Sequence, residues 1–212
     1  MDFLEGGAGQ DAGETVMIIL VLAYLAGAVP CGYLLNRLVQ RQNGTAWLLV
    51  VLQSRGPAAI SILADFGKGA LVAWAVPAFG TVLAGSHWSW LVRPLVSPGL
   101  REAATLIAAV AGHVLSVYVC GWGGRGTSTA FGAFMVLAPL PTACALGVFA
   151  LCAAAWRAVG IGAVAASWAL PPCIWYFDRQ NLPFQLVALA LAVLSVATHL
   201  TMIKGHAAHT TN

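Results

Sequence analysis

The sequence predicts an all-α integral membrane protein with about seven transmembrane helices, and three observations carry that prediction. Hydrophobic residues make up 60% of the chain and charged residues only 8%, against about a quarter charged in soluble domains. The apolar residues gather into runs long enough for helices that cross a bilayer, separated by short stretches rich in proline, glycine and arginine. The cations are divided unevenly between alternate connections, the bias that orients membrane helices. The net charge of +3 is small and dispersed, so no nucleic-acid partner is implied. Five cysteines, Cys31, Cys120, Cys144, Cys152 and Cys173, form no C-x-x-C pair. They read as small apolar packing residues, with no disulfide frame or metal site.

Residues 1–15 hold Asp2, Glu5, Asp11 and Glu14 among glycines and no base, so they read as an extracytoplasmic tail instead of a cleavable leader. A single polytopic domain follows over residues 16–205, then a tail over 206–212. The first span, 16–39, is interrupted by Pro30. Arg37, Arg41 and Arg55 share the next connection, which places it on the cytoplasmic side and the N-terminus outside. Within that connection, residues 46–52 are apolar but too short to span, and read as a re-entrant or interfacial segment. The second span, 57–83, contains Asp65 and Lys68, whose spacing puts both on one helix face. Charges at that depth are costly, so the two are expected to neutralise each other, as a structural ion pair or as a functional one.

Residues 85–100, with Trp88, Trp90, His87 and Arg93, read as an external loop with interfacial tryptophans. The third span, 101–118, carries His113. A fourth segment, 127–138, runs into Pro139 and Pro141, which end it or turn it back. The next pass, 141–155, is closed by Trp156-Arg157. The sixth, 158–177, has Gly160 and Gly162 for close helix packing. After a short external turn, 184–203 forms the last span, bearing His199, and leaves the C-terminus cytoplasmic. On this layout Arg37, Arg41, Arg55, Arg125, Arg157 and Lys204 lie inside, against Arg93, Arg101 and Arg179 outside.

Chemistry concentrates in Gly112–Ala133. There a helix carrying His113 empties into Gly123-Gly124-Arg125-Gly126, and a second helix starts at Thr127 or Ser128. Glycines let the backbone approach a ligand and offer N–H groups to an anion. The N-terminus of the following helix favours negative charge at the same place. Arg125 adds a planar fork suited to phosphate oxygens. The combination points to a phosphate site, although a glycine turn with one arginine also serves as a plain connection between membrane helices.

Gly112-His113, the spacing to Gly123-Gly124-Arg125-Gly126, and Thr129-Ala130-Phe131-Gly132-Ala133 together resemble the second signature of the bacterial acyl-phosphate:glycerol-3-phosphate acyltransferases (PlsY). Ser116 stands where that family has Pro, and Arg125 where it has Lys. Asp65-Phe66-Gly67-Lys68-Gly69 also matches. In the first signature Asn43 aligns, while Arg41, Gln42, Trp47, Leu48 and Val51 depart from it. In the third, His199 and Ile203 align, while Met202 and Gly205 depart and no Glu follows. Val159 and Gly160 occupy positions where the family supplies serine.

The resemblance implies a PlsY-like bundle in the bacterial inner membrane. It implies acyl transfer from acyl phosphate to the 1-hydroxyl of glycerol 3-phosphate or a related polar acceptor, with no metal or cofactor. Carried over residue by residue, it places His199, His113 and Lys68 at the catalytic centre. Gly123, Gly124, Arg125, Gly126 and Asn43 fall on the substrate phosphate, with Asp65 and Thr129 in support. Membrane lipids are the surrounding partners. The departures leave a second reading open, a catalytically degenerate relative acting as a structural or lipid-binding subunit of a membrane complex. A small transporter, suggested by the Asp65–Lys68 pair alone, ranks third.

Overall fold

A computed structural model describes residues 5–34, 37, 56–84, 98–120 and 124–209. Among these the chain is helical: α1 (Glu5–Ala28), α2 (Gly56–Ala84), α3 (Pro98–Val114), a 3-10 turn (Val117–Val119), α4 (Thr127–Leu137), α5 (Pro139–Trp156), α6 (Val159–Phe177) and α7 (Leu182–His209). The expected re-entrant segment, the tryptophans of the 85–100 loop and Asn43 lie outside the described residues. Met17–Leu34, Gly99–Val119, Pro139–Trp156 and Val159–Phe177 are each long and apolar enough to cross a membrane.

The surface is inverted relative to a soluble protein. Leu63, Leu71, Trp74, Leu151 and Tyr176 point outward, while Thr105, Ser116, Thr129, Thr142, Ser167 and Ser195 are buried. Outward leucine and inward small polar residues are what a lipid solvent selects, because lipid tails are as apolar as leucine and helices gain by close approach. Some of these buried hydroxyls bond back along their own chain: Thr142 Oγ1 donates to the Ala138 carbonyl at 2.7 Å and Ser167 Oγ to Ala163 at 2.8 Å.

Two compact units can be recognised, residues 1–97 with 104–133 and residues 98–103 with 134–212. In the first, glycines weld the helices in reciprocal pairs. A Cβ on Gly27 would overlap the Ala109 carbonyl, and one on Gly112 the Tyr24 carbonyl, so α1 and α3 touch backbone to backbone. Gly69 and Gly132 stand likewise against the carbonyls of Thr129 and Phe66, joining α2 to α4. These contacts adjoin His113 and Lys68 in sequence, so the two side chains of interest project from the most tightly held points of their helices. Ala23, Val72 and Ala109 form the small apolar core between them.

In the second unit α6 packs between α5 and α7. Gly162 lets it close on Phe149 and Ala153 of α5, and Phe134 meets Phe184 edge-to-face at 6.1 Å. Pro171 and Pro172 sit inside α6 without ending it, as membrane helices tolerate when neighbours cover the freed carbonyls. Arg179 stacks over Trp175 at 4.5 Å in the turn that follows.

Element boundaries follow the prolines. α4 ends ahead of Pro139, and α5 starts with that proline at its first position. With 11 residues, α4 is about 16 Å long at 1.5 Å per residue, too short to traverse a hydrocarbon core of about 30 Å by itself. The helix of the first span begins at Glu5 instead of near residue 16. Once the apolar run has nucleated a helix, each further residue adds one hydrogen bond, and the helix runs on through Gly6, Gly7, Gly9 and Gly13 although glycine disfavours it.

Candidate active site

The site is built on a break in α1. The residue before a proline is driven out of the helical region, so α1 stops at Ala28, Val29 and Pro30 are non-helical, and helix resumes over residues 31–34. Carbonyls at a helix end have no partner within the helix, and in lipid there is no water to take its place. Side chains from two other elements supply the donors. Ser116 Oγ donates to the Ala28 carbonyl at 2.5 Å, and Lys68 Nζ donates to the Val29 carbonyl at 2.8 Å. Tyr24 returns the connection, its hydroxyl donating to the Leu115 carbonyl at 2.6 Å.

Lys68 has a second partner. Its Nζ lies 3.0 Å from Asp65 Oδ1, one turn away on α2, and the two side chains are 10% and 12% exposed. His113 Nδ1 approaches the same oxygen at 3.7 Å. That is ion-pair range and beyond a good hydrogen bond. Among the described residues Oδ1 accepts no aligned hydrogen bond, so it is held by the neighbouring charge and keeps lone-pair capacity. Asp65 and His113 border a cleft of about 230 Å³ whose lining also includes Val29, Cys31, Tyr33, Ser116 and Gly124, and Lys68 holds two of those lining residues, Asp65 and Val29.

The glycine turn folds back onto the imidazole. The Gly124 N–H donates to the His113 carbonyl at 3.0 Å, and a Cβ at residue 124 would overlap His113 Nε2. The expected role of Gly124 as an amide donor to phosphate therefore changes: its N–H is already spent, and its contribution is the absence of a side chain. Gly126 has φ of +75°, the left-handed region that glycine enters without steric cost. Its carbonyl takes the first bond of α4, from Ala130 N at 2.9 Å. The amides of Thr127, Ser128 and Thr129 thus have no partner within their own helix. Arg125, between the two described glycines, is half-buried.

The structure brings Asp65, His113 and Gly124 to one cleft, with Lys68 paired to Asp65. Gly126 and Arg125 follow directly in the chain. Thr129 is fully buried, and among the described residues its hydroxyl has no hydrogen-bond partner. Gly123 and Asn43 lie outside the described residues. His199 is on α7 in the other unit, and its side chain is not among those described. Sequence reasoning missed Tyr24 and the part played by Ser116. The signal for both was Pro30, since a break inside a membrane helix must find donors elsewhere. No cluster of three or more potential metal-ligating side chains occurs among the described residues.

Helices long and apolar enough to cross a membrane, with Asp65, Lys68 and His113 gathered at the break after α1, define the class of polytopic helical membrane proteins that carry a buried polar cluster. Comparison with known proteins narrows that class. The family model described as glycerol-3-phosphate acyltransferase matches residues 17–209, and the chain belongs to that family. A glycerol-3-phosphate acyltransferase of Parasynechococcus marenigrum (strain WH8102) is 33% identical over 200 residues, 90% of this chain and 85% of that one. Another, from Syntrophotalea carbinolica, is 30% identical over 183 residues, 86% and 89% of the two chains. In structure the chain resembles the glycerol 3-phosphate form of PlsY (YgiH), an integral membrane glycerol 3-phosphate acyltransferase, with a TM-score of 0.66 over 90% of each chain at 19% identity.

Proposed function

We propose that the cleft transfers an acyl group from an acyl phosphate to the 1-hydroxyl of glycerol 3-phosphate, in the bacterial inner membrane, with the N-terminus outside and the C-terminus in the cytoplasm. The observation that carries this reading is the placement of His113 and Lys68 on one buried carboxylate, Asp65, at a cleft closed by Gly124. In the reaction the hydroxyl oxygen bonds to the acyl carbon and the bond from that carbon to the phosphate oxygen breaks. The electron pair leaves with phosphate, and the hydroxyl proton ends on it.

A carboxylate facing Nδ1 keeps the imidazole proton on that nitrogen, which leaves Nε2 to accept from the hydroxyl and pass the proton on. Lys68 offsets the negative charge that Asp65 and the phosphates bring together. Arg125 and the first amides of α4 are the groups suited to the phosphate itself. Tyr33 lines the cleft and is also more than half exposed, which gives the acyl chain a lateral path to lipid. Val51, Val159, Gly160, Met202 and Gly205 offer no side-chain charge or hydroxyl to the acceptor. Each missing charge-assisted hydrogen bond is worth about 1.5–3 kcal/mol, so a high KM for glycerol 3-phosphate is expected.

The test is turnover. Protein in lipid nanodiscs, given acyl phosphate and radiolabelled glycerol 3-phosphate, is expected to form lysophosphatidate and inorganic phosphate in equal amounts. Absence of product at saturating acceptor, and with other polar acceptors, would remove the enzyme reading and leave that of a non-catalytic membrane subunit.

A further inference from the structure

We infer that the Ser116 hydroxyl is a positioning residue, which fixes the break in α1 and through it the Lys68–Asp65–His113 array; as a statement about catalysis this rests on the acyl-transfer reading above. Ser116 is 1% exposed and donates to the Ala28 carbonyl. The next carbonyl along, that of Val29, is the one that Lys68 holds while it pairs with Asp65. Tyr24 of α1 donates to the Leu115 carbonyl, beside Ser116, so the two bonds run in opposite directions between the same two segments. Two bonds one helical turn apart on α1 tie the segments at two points, which restricts sliding and rotation more than a single bond would.

Without the hydroxyl, the Ala28 carbonyl loses its side-chain donor. Residues 28–30 then gain by moving, and the Val29 carbonyl moves with them. Lys68 must follow that carbonyl or stay with Asp65, and either choice disturbs the array. Ser116 itself lines the cleft, and it acts on the array through these contacts.

Cys31 reports on the break without requiring turnover, since it directly follows Pro30 and lines the cleft. The other four cysteines, Cys120, Cys144, Cys152 and Cys173, are free thiols and are replaced by alanine, leaving a parent protein with Cys31 alone. Three substitutions are compared in it. Ser116→Ala removes the hydroxyl. Ser116→Val also removes it and matches threonine in shape, so this variant tests the bond should the alanine variant fold poorly. Ser116→Thr keeps the hydroxyl.

Alkylation of Cys31 by N-ethylmaleimide is expected to quicken about tenfold in the alanine and valine variants, as local opening grows, and to stay at the parent rate with threonine. Turnover in the first two is expected to fall about tenfold in kcat with KM for glycerol 3-phosphate unchanged, and threonine restores it. Parent-rate labelling in both hydroxyl-free variants overturns the inference, as does faster labelling with kcat unmoved, or a threonine variant that behaves like alanine. A parent that labels slowly but turns over no substrate removes the acyl-transfer reading alone, and the labelling rates still decide whether the bond holds the break.

Discussion

Replacing Lys68 by alanine is expected to destabilise the protein by about 3–5 kcal/mol, the range found when one partner of a buried ion pair is removed. The variant leaves the Asp65 carboxylate, 12% exposed, without its ammonium, and it takes from the Val29 carbonyl its side-chain donor, leaving that oxygen only the Cys31 N–H at 3.0 Å. Both costs fall inside the membrane, where solvent relieves neither. Thermal unfolding in detergent reads the loss, and acyl transfer is expected to vanish with it. The double variant Asp65→Asn, Lys68→Met separates structure from chemistry. With no charge left unpaired it is expected to recover most of the stability, since neutral replacements of a buried pair are often tolerated. It is expected to remain inactive, because nothing then holds the His113 proton on Nδ1. Recovery of turnover along with stability would make the pair purely structural.

Replacing Gly124 by alanine is expected to lower kcat about a hundredfold, the penalty for displacing a reacting group by about 1 Å. The new methyl group would occupy the place of His113 Nε2, so the imidazole must swing away. Stability is expected to change little, because Gly124 is an exposed turn residue and the imidazole can yield. Parallel measurement of kcat and Tm checks both halves. An alanine variant with parental turnover would show that Nε2 takes no part in the reaction.

The parts of the molecule that were readable in advance are those governed by residues close in sequence. Apolar run lengths gave the helices, Pro30 and Pro139 gave the breaks, and the three-residue spacing of Asp65 and Lys68 gave their ion pair. The start of α4 at Thr127 follows from Gly126. What escaped depends on which helices meet. Nothing in the sequence pairs His113 of α3 with Asp65 of α2, and the two helices meet through the core of Ala23, Val72 and Ala109 that they share with α1. The glycine turn announced a permissive backbone but not the partner of its amides, and Gly124 proved to be bonded to the His113 carbonyl. Ser116 was visible only as a departure from the family signature, while its physical part, a donor for the Ala28 carbonyl, needs the break in α1 to be seen beside it.

The central claim is that acyl transfer takes place in the cleft at the α1 break, and photocrosslinking locates the reaction most directly. A non-hydrolysable acyl phosphonate carrying a diazirine beside its phosphonate group would be photolysed on the protein in nanodiscs, with excess glycerol 3-phosphate as a control, and the adducts mapped by mass spectrometry. Adducts at Cys31 to Tyr33, and between His113 and Gly126, are the expected result. Adducts confined to residues 139–209, with none at the break or the glycine turn, would contradict it.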